Sequence, residues 1–593
     1  MKRIVLLFFL TISLLGKADV GHAESLDFII SMFGEDLYDY FGWSCATGDV
    51  NCDGYADLLI GAPHSYAAQR GVIYVFFGGQ IIDSIPDLVL QKSPQEMLGW
   101  CVSSGDVNGD ECDDIIAGAY CPGDIGKVYI FLGSESPDTL PDVILAGQSP
   151  EETFGGSVCA LGDVNGDGYA DVMVGTDIFS SKAYLYLGGS PMDSLPDLII
   201  TEGGSCVSFC GDLNGDSLSD IIVSQDHSYI YLGGTDMDSL PDLILSQEGS
   251  ALSPCGDVNG DGYDDVAVAY YFNDSVWVFF GGDPMDSIPD LMISDALDGE
   301  VFGWEVADCG DLNHDGFSDF IVGAPSGGGG RGLVYFGGDP ADDVFDVQID
   351  PPDALYTQFG CSICAGDLNL DGFLEITLGA WENAGGGPAP GMAYIYGDIT
   401  SPQVTLILPN GGEELVVGTS YEIVWSASDN FGIHHFNLYL SRDGGLTYPD
   451  TIETDIPGSD TSFAWIVPEP PCQTCRVQLS AVDYANKEGF DSSDSNFVIT
   501  RGLFLRGDAN EDMTANSADV VGLINYLFKG GPLSCLDAAD CNDDGIINSS
   551  DVVYLINYLF KGGPASPIPF PACGLDPTPD ELGCESHPCQ GKQ

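Results

Sequence analysis

Basic residues are nearly missing from this chain. Its 593 residues include 16 lysines and arginines against 92 aspartates and glutamates, a formal charge of −76. So acidic a surface excludes nucleic acid and anionic membranes as general partners, because like charges repel. Long apolar runs are also missing: past residue 23 no stretch approaches the roughly 20 residues a helix needs to cross a bilayer, so no transmembrane segment is expected. Histidine is scarce, with 7 scattered copies. No Gly-x-Ser-x-Gly elbow, phosphate loop or His-Glu-x-x-His is present, and the sequence names no catalytic residue and no organic cofactor site.

The first 23 residues carry Lys2 and Arg3, an apolar run from Ile4 to Leu15, and the small-residue site Gly21-His22-Ala23. This reads as a secretory signal peptide. The mature protein is therefore expected to be secreted, or attached at the cell surface, where calcium is plentiful and disulfides persist. The 19 cysteines are odd in number, so at least one has no partner within the chain. Cys45, Cys101, Cys159, Cys210, Cys255, Cys309 and Cys364 each stand just before an acidic loop and are expected to be packed as small hydrophobes. Cys472, Cys475, Cys535, Cys541, Cys573, Cys584 and Cys589 are the better disulfide candidates.

What the chain has in abundance is one acidic loop, seen in Asp163-Val164-Asn165-Gly166-Asp167-Gly168-Tyr169-Ala170-Asp171. Oxygen side chains stand first, third, fifth and ninth, and a glycine stands sixth. Calcium takes six to eight oxygens at about 2.3–2.6 Å, so a short loop must aim alternate side chains inward; glycine permits the sharp turn. Seven copies start at Asp49, Asp106, Asp163, Asp212, Asp257, Asp311 and Asp367. Full ligand sets are read at Asp49, Asn51, Asp53, Asp57; at Asp163, Asn165, Asp167, Asp171; at Asp257, Asn259, Asp261, Asp265; and at Asp311, Asn313, Asp315, Asp319. The seventh copy offers Asp367, Asn369, Asp371 and Glu375. The second (Asp106, Asn108, Asp110, Asp114) and fourth (Asp212, Asn214, Asp216, Asp220) place Glu111 and Ser217 where glycine belongs, and weaker binding is expected there.

Each copy has the same surroundings: Phe-Gly or a relic before the loop (Phe41-Gly42, Leu98-Gly99, Phe154-Gly155, Phe302-Gly303, Phe359-Gly360), a strand ending in Gly-Ala, a second strand closing on Gly-Gly, and a strand after Pro-Asp. Four short strands per unit of about 50 residues make a propeller blade. The strand at Asp27 resembles those outer strands, and the seventh unit lacks one, so the N-terminal strand is expected to complete the seventh blade. These repeats resemble the FG-GAP repeats of integrin α-subunits. The resemblance covers about residues 25–398 and implies a seven-bladed β-propeller whose calcium loops lie on one face, with ligands met on the other.

From residue 401 to 500 the repeat gives way to alternating strands, which suggests an immunoglobulin-like or fibronectin-III-like sandwich. Two further loops follow, of twelve residues and EF-hand type: Asp508, Asn510, Asp512, Asn516, Asp519, and Asp540, Asn542, Asp544, Asn548, Asp551. Each leads into an amphipathic helix ending in Lys-Gly-Gly-Pro, a C-terminal stop. A loop and exit helix repeated once, over residues 503–564, resembles a type I dockerin. That resemblance implies folding on calcium and docking onto a cohesin-like protein through Ser517, Ala518, Ser549 and Ser550. A cysteine-containing tail occupies residues 565–593.

The fold class expected is thus mainly β: a seven-bladed β-propeller plus a β-sandwich, with a small α-helical calcium-binding dockerin domain. Two functions stand open. One is a calcium-binding adhesion or recognition protein with the propeller as head, meeting a protein or glycan ligand, and the dockerin as attachment module. The other is a carbohydrate-active enzyme or lectin built on the propeller, where Trp43, Trp100, Tyr120, Tyr270, Tyr271, Trp304 and Trp381 would stack sugars.

Overall fold

The computed structural model describes residues 26–34, 39–64, 71–92, 96–120, 125–150, 152–176, 180–235, 237–294, 301–325, 329–352, 356–383, 390–576, 578, 582–584 and 589. The segment read as a signal peptide lies outside them. The chain divides into two compact units, Met1–Asp398 and Ile399–Gln593.

The first unit holds seven four-stranded antiparallel sheets. In the first blade, strands Asp57–Ala62 and Val72–Phe76 are buried along their whole length, whereas the outermost, Leu88–Gln91, is only partly covered. The inner strands have another blade on both faces and so read as continuous apolar runs; the outer strand meets water. The innermost strands touch in cyclic order, and Ser44–Gly48 meets Ile363–Gly366 to close the ring. Strand Asp27–Phe33 pairs antiparallel with Met392–Gly397 and supplies the fourth strand of the last blade, as expected. One blade is thus made from both ends of the propeller sequence, and its open edge is covered.

The repeated dipeptides are two sides of one contact. A Cβ on Gly379 would lie 2.1 Å from the Gly42 carbonyl oxygen, and one on Gly118 2.4 Å from that of Gly155. The Gly-Ala of one blade and the Phe-Gly of its neighbour meet backbone to backbone, which only glycine permits. Phe41, Phe154, Phe302 and Phe359 are fully buried beside these contacts.

In the second unit, strands Gln403–Leu408, Ser420–Ser428 and Ser462–Ile466 form one sheet. Glu414–Val416, Phe497–Thr500, Cys472–Asp483, Ile433–Ser441 and Asp450–Pro457 form another, with Glu488–Ser492 also paired to Cys472–Asp483. Trp425 and Trp465 from the first meet Phe436, Leu438, Leu479 and Phe497 from the second in one core. Among the described residues three helices follow: α1 (Ser517–Lys529), the one-turn α2 (Leu536–Ala539) and α3 (Ser549–Lys561). Val520 and Leu523 of α1 pack with Val552 and Leu555 of α3. Gly530 and Gly562 end α1 and α3 in the left-handed conformation at φ 68° and 71°, as Lys-Gly-Gly-Pro implied. The tail folds back onto these helices: the fully buried Arg506 reaches Asp576 at 2.7 Å, and disulfides join Cys535 to Cys584 and Cys573 to Cys589.

The seven cysteines that precede the acidic loops are unpaired, as expected, and Cys472 bonds Cys475. Two features differ from expectation. Cys541 is unpaired, because it is part of the core between α1 and α3. Cys52 and Cys112, not singled out from sequence, form a disulfide.

Candidate metal centres and the opposite face

The nine-residue loops fold around their first aspartate. In the third, the backbone N–H groups of Gly166, Asp167 and Gly168 donate to the Asp163 carboxylate at 2.6, 3.1 and 2.7 Å. Asn165 accepts from the Asp167 N–H at 2.8 Å and donates to its carboxylate at 3.0 Å. Asp171, fully buried, accepts from the Val164 N–H at 3.0 Å and from the Gly188 N–H at 2.7 Å. The structure therefore brings positions one, three, five and nine together as the spacing predicted. The same scheme holds at Asp57, Asp114, Asp220, Asp265 and Asp319, each accepting from the backbone N–H at position two of its loop.

Burial pushes the Asp171 carboxyl up to about 7, and the Asp167 and Asp163 charges add to the shift. Asp57, Asp114, Asp220, Asp265 and Asp319 are raised to about 7 in the same way. Converging carboxylates of this kind suit a hard dication, whose charge offsets their repulsion. In the seventh loop, Oδ1 of Asp367 is buried with no hydrogen-bond partner, an oxygen suited to a cation. The donor set fits calcium.

Position six is left-handed throughout. Gly54, Gly168, Gly262, Gly316 and Gly372 lie at φ 91–94°, and Glu111 and Ser217 take φ 71° and 68° without glycine's freedom. They keep the loop closed, since the Glu111 and Ser217 N–H groups still donate to Asp106 and Asp212 at 2.9 and 2.7 Å. The cost is backbone strain. Sequence reasoning missed that position four is left-handed too: Cys52, His314 and Leu370 take φ 56–59° there.

The loops are also stitched to one another. The N–H at position eight donates to the position-one carbonyl of the preceding blade: Asp113 to Asp49 at 2.9 Å, Ala170 to Asp106 at 2.9 Å, and, closing the ring, Ala56 to Asp367 at 3.1 Å. Position seven packs on position four of the preceding loop, so that a Cβ on Gly109 would fall 2.7 Å from the Tyr169 ring. Between the first two blades these positions are Cys52 and Cys112, and the disulfide takes the place of the ring contact. The signal was in the sequence as two cysteines at matched offsets in adjacent copies.

The twelve-residue loops resemble the others up to position six. Met513 and Gly545 donate to Asp508 and Asp540 at 2.8 Å each, Met513 at a left-handed φ of 69°. They then turn into helices. Asn516 and Asn548 are the N-caps of α1 and α3, and Asp519 and Asp551 complete capping boxes from the third helical position. One aspartate thus serves both as predicted ligand and as helix cap. Ser517, Ala518, Ser549 and Ser550 stand exposed at the two helix starts.

On the propeller face away from the acidic loops, the aromatic residues singled out from sequence gather into two arcs. Trp43 lies 4.8 Å from Trp100 and 5.2 Å from Trp381, and Trp100 stacks on Tyr120 at 4.7 Å. Tyr271 lies 4.9 Å from Trp304, and Tyr270 and Tyr271 flank Phe272. Trp43, Trp100, Tyr271, Trp304 and Trp381 line an axial cavity of about 450 Å³. Sequence reasoning did not find Glu305, which lines it as well.

Comparison with known proteins agrees with these elements. The FG-GAP repeat family matches residues 41–76, 249–281 and 302–336, an FG-GAP-like repeat matches 106–174, and the dockerin type I domain matches 506–560. Integrin alpha-7 of Rattus norvegicus is 39% identical over 155 residues, 25% of this chain and 14% of that protein. Integrin alpha-5 of Xenopus laevis is 33% identical over 193 residues, 30% of this chain and 18% of that protein. The chain thus spans less than a fifth of the length of these curated relatives. A solved structure described as BBS1N in complex with ARL6DN, soaked with lead, matches 63% of this chain and 96% of its own at 12% identity and a TM-score of 0.40.

Proposed function

We propose, for a chain that carries FG-GAP repeats related to those of integrin α-subunits and a type I dockerin domain, that it is an exported calcium-binding recognition protein. The propeller is its binding head and the dockerin its attachment module. Calcium at the seven propeller loops holds adjacent blades in register, and calcium at the two C-terminal loops sets the start of α1 and α3. FG-GAP and dockerin domains are typical of extracellular proteins, and among the described residues no helix is long and apolar enough to cross a membrane. The cohesin-like partner meets Ser517 and Ala518, or Ser549 and Ser550.

The observation that carries this reading is the pairing of two unlike calcium architectures in one chain: a ring of loops stitched blade to blade, and a duplicated loop–helix whose starts are exposed. Capture of the full chain on an immobilised type I cohesin, calcium-dependent and lost when all four of these positions carry bulky charged residues, is the expected result. Capture that survives both chelation and the substitutions overturns it. The carbohydrate-active alternative draws on the aromatic arcs, but acid–base glycoside hydrolysis takes two carboxyls, and among the described residues Glu305 is the sole carboxyl lining the axial cavity. A binding role suits that cavity better.

A further inference from the structure

The axial cavity has an unusual lining. Its walls are serine, cysteine and small apolar residues from the innermost strands, and its end away from the acidic loops is aromatic. Among the described residues its one carboxyl is Glu305, and no lysine, arginine or histidine lines it to neutralise that group. Glu305 starts the inner strand of the sixth blade, Glu305–Asp308, next to Trp304. Its carboxyl accepts from the Val306 backbone N–H, and the residue is half-buried.

Four of the six serine hydroxyls among its described lining residues are already committed as donors. Ser44, Ser205, Ser250 and Ser362 donate to backbone carbonyls at 2.9–3.1 Å. A saccharide, which needs several free donors and acceptors, finds little to bond. A cation finds a carboxylate for its charge and indole faces for its surface, the combination that favours ammonium groups over neutral molecules of the same shape. The volume suits a small molecule.

We propose that this cavity binds a small organic cation, an alkylammonium or quaternary ammonium compound, with the charged nitrogen against Glu305 and its carbon substituents against Trp43, Trp100, Trp304 and Trp381. This names the ligand class of the propeller head in the reading above but does not depend on dockerin docking. The ionisable groups facing Glu305 from other blades are the Cys45, Cys206 and Cys361 thiols, which burial holds neutral. Glu305 is therefore the group whose charge changes. Burial raises it to about 8, so cation binding near neutral pH releases a proton, and affinity rises with pH up to that value and then levels.

Four of the seven tryptophans stand at the cavity, which makes their fluorescence a direct readout. The full chain in millimolar calcium is titrated with choline, with its neutral isostere 3,3-dimethylbutan-1-ol, with Nα-acetyl-lysine amide and with cellobiose. The expected result is saturable quenching by choline, at least tenfold weaker binding of the isostere, and a tenfold or greater loss in Glu305→Gln, whose calcium-dependent melt stays that of the parent. A Trp43→Ala variant is expected to lose a similar factor. Equal binding of the neutral isostere, an unchanged affinity in Glu305→Gln, tighter binding of cellobiose than of either ammonium compound, or no quenching by either ammonium compound overturns the proposal. Cohesin capture is scored separately, so failure of the attachment reading and failure of this one are distinguishable.

Discussion

The propeller loops and the dockerin loops begin with the same chemistry and end in different structures. Both start with Asp-x-Asn-x-Asp, and both close on N–H groups donating to the first carboxylate. In the propeller the last aspartate sits at or beside the start of a strand and is wedged between two backbone segments of its own blade, while the next blade bonds to the loop's carbonyls. In the dockerin the last aspartate is a helix cap, and the core behind it is formed by seven buried residues, among them Leu523 and Leu555. The same motif is one support among many in the first case and the main support in the second.

Chelation tests that difference most strongly. At a free concentration 100 times the dissociation constant, each ion stabilises the fold by about 2.7 kcal/mol. The dockerin helices are expected to melt outright in excess chelator, read as lost helical ellipticity at 222 nm. The propeller is expected to stay folded at 25 °C while its tryptophan-monitored Tm falls by roughly 10–20 °C. Unchanged melting of both would mean the loops hold no calcium.

Asp171→Ala leaves the Val164 and Gly188 N–H groups unsatisfied and is expected to cost about 3–5 kcal/mol of propeller stability in urea unfolding. Asp551→Ala should instead abolish cohesin capture with the propeller transition unmoved; a shared transition would end the distinction. Removing the inter-blade staple with Cys52→Ser and Cys112→Ser should cost about 2–4 kcal/mol, again in the propeller alone. The smallest effects come from relieving left-handed strain. Ser217→Gly and Met513→Gly should each stabilise by about 1 kcal/mol and tighten calcium binding at their own loops, measured by calorimetry, and a loss of affinity in both would show that these side chains support the site.

Much of this was legible because it is local. The ligand spacing, the glycine at position six, the Phe-Gly and Gly-Ala punctuation and the helix stops lie within a few residues of one another, and repetition multiplies the signal. Even the shared blade could be read, since Asp27–Phe33 matches the outer strands and the seventh repeat lacks one. Strands Asp450–Pro457 and Glu488–Ser492 were not legible, because they carry few apolar side chains to mark an alternation, although each pairs with the strand just before it. The Cys541 pairing failed for a different reason: spacing cannot tell a core thiol from a bridged one.

The sequence by itself determined the repeat, the acidic loop motif and the order of the modules, since each depends on residues that are neighbours in the chain. Tertiary structure alone decided what those loops lean on. The carbonyl of Asp367 meets the N–H of Ala56 across more than 300 residues. It also decided that Trp43, Trp304 and Glu305, drawn from different blades, line one cavity. No local pattern encodes such meetings, because it is closure of the ring that sets the first and last blades side by side.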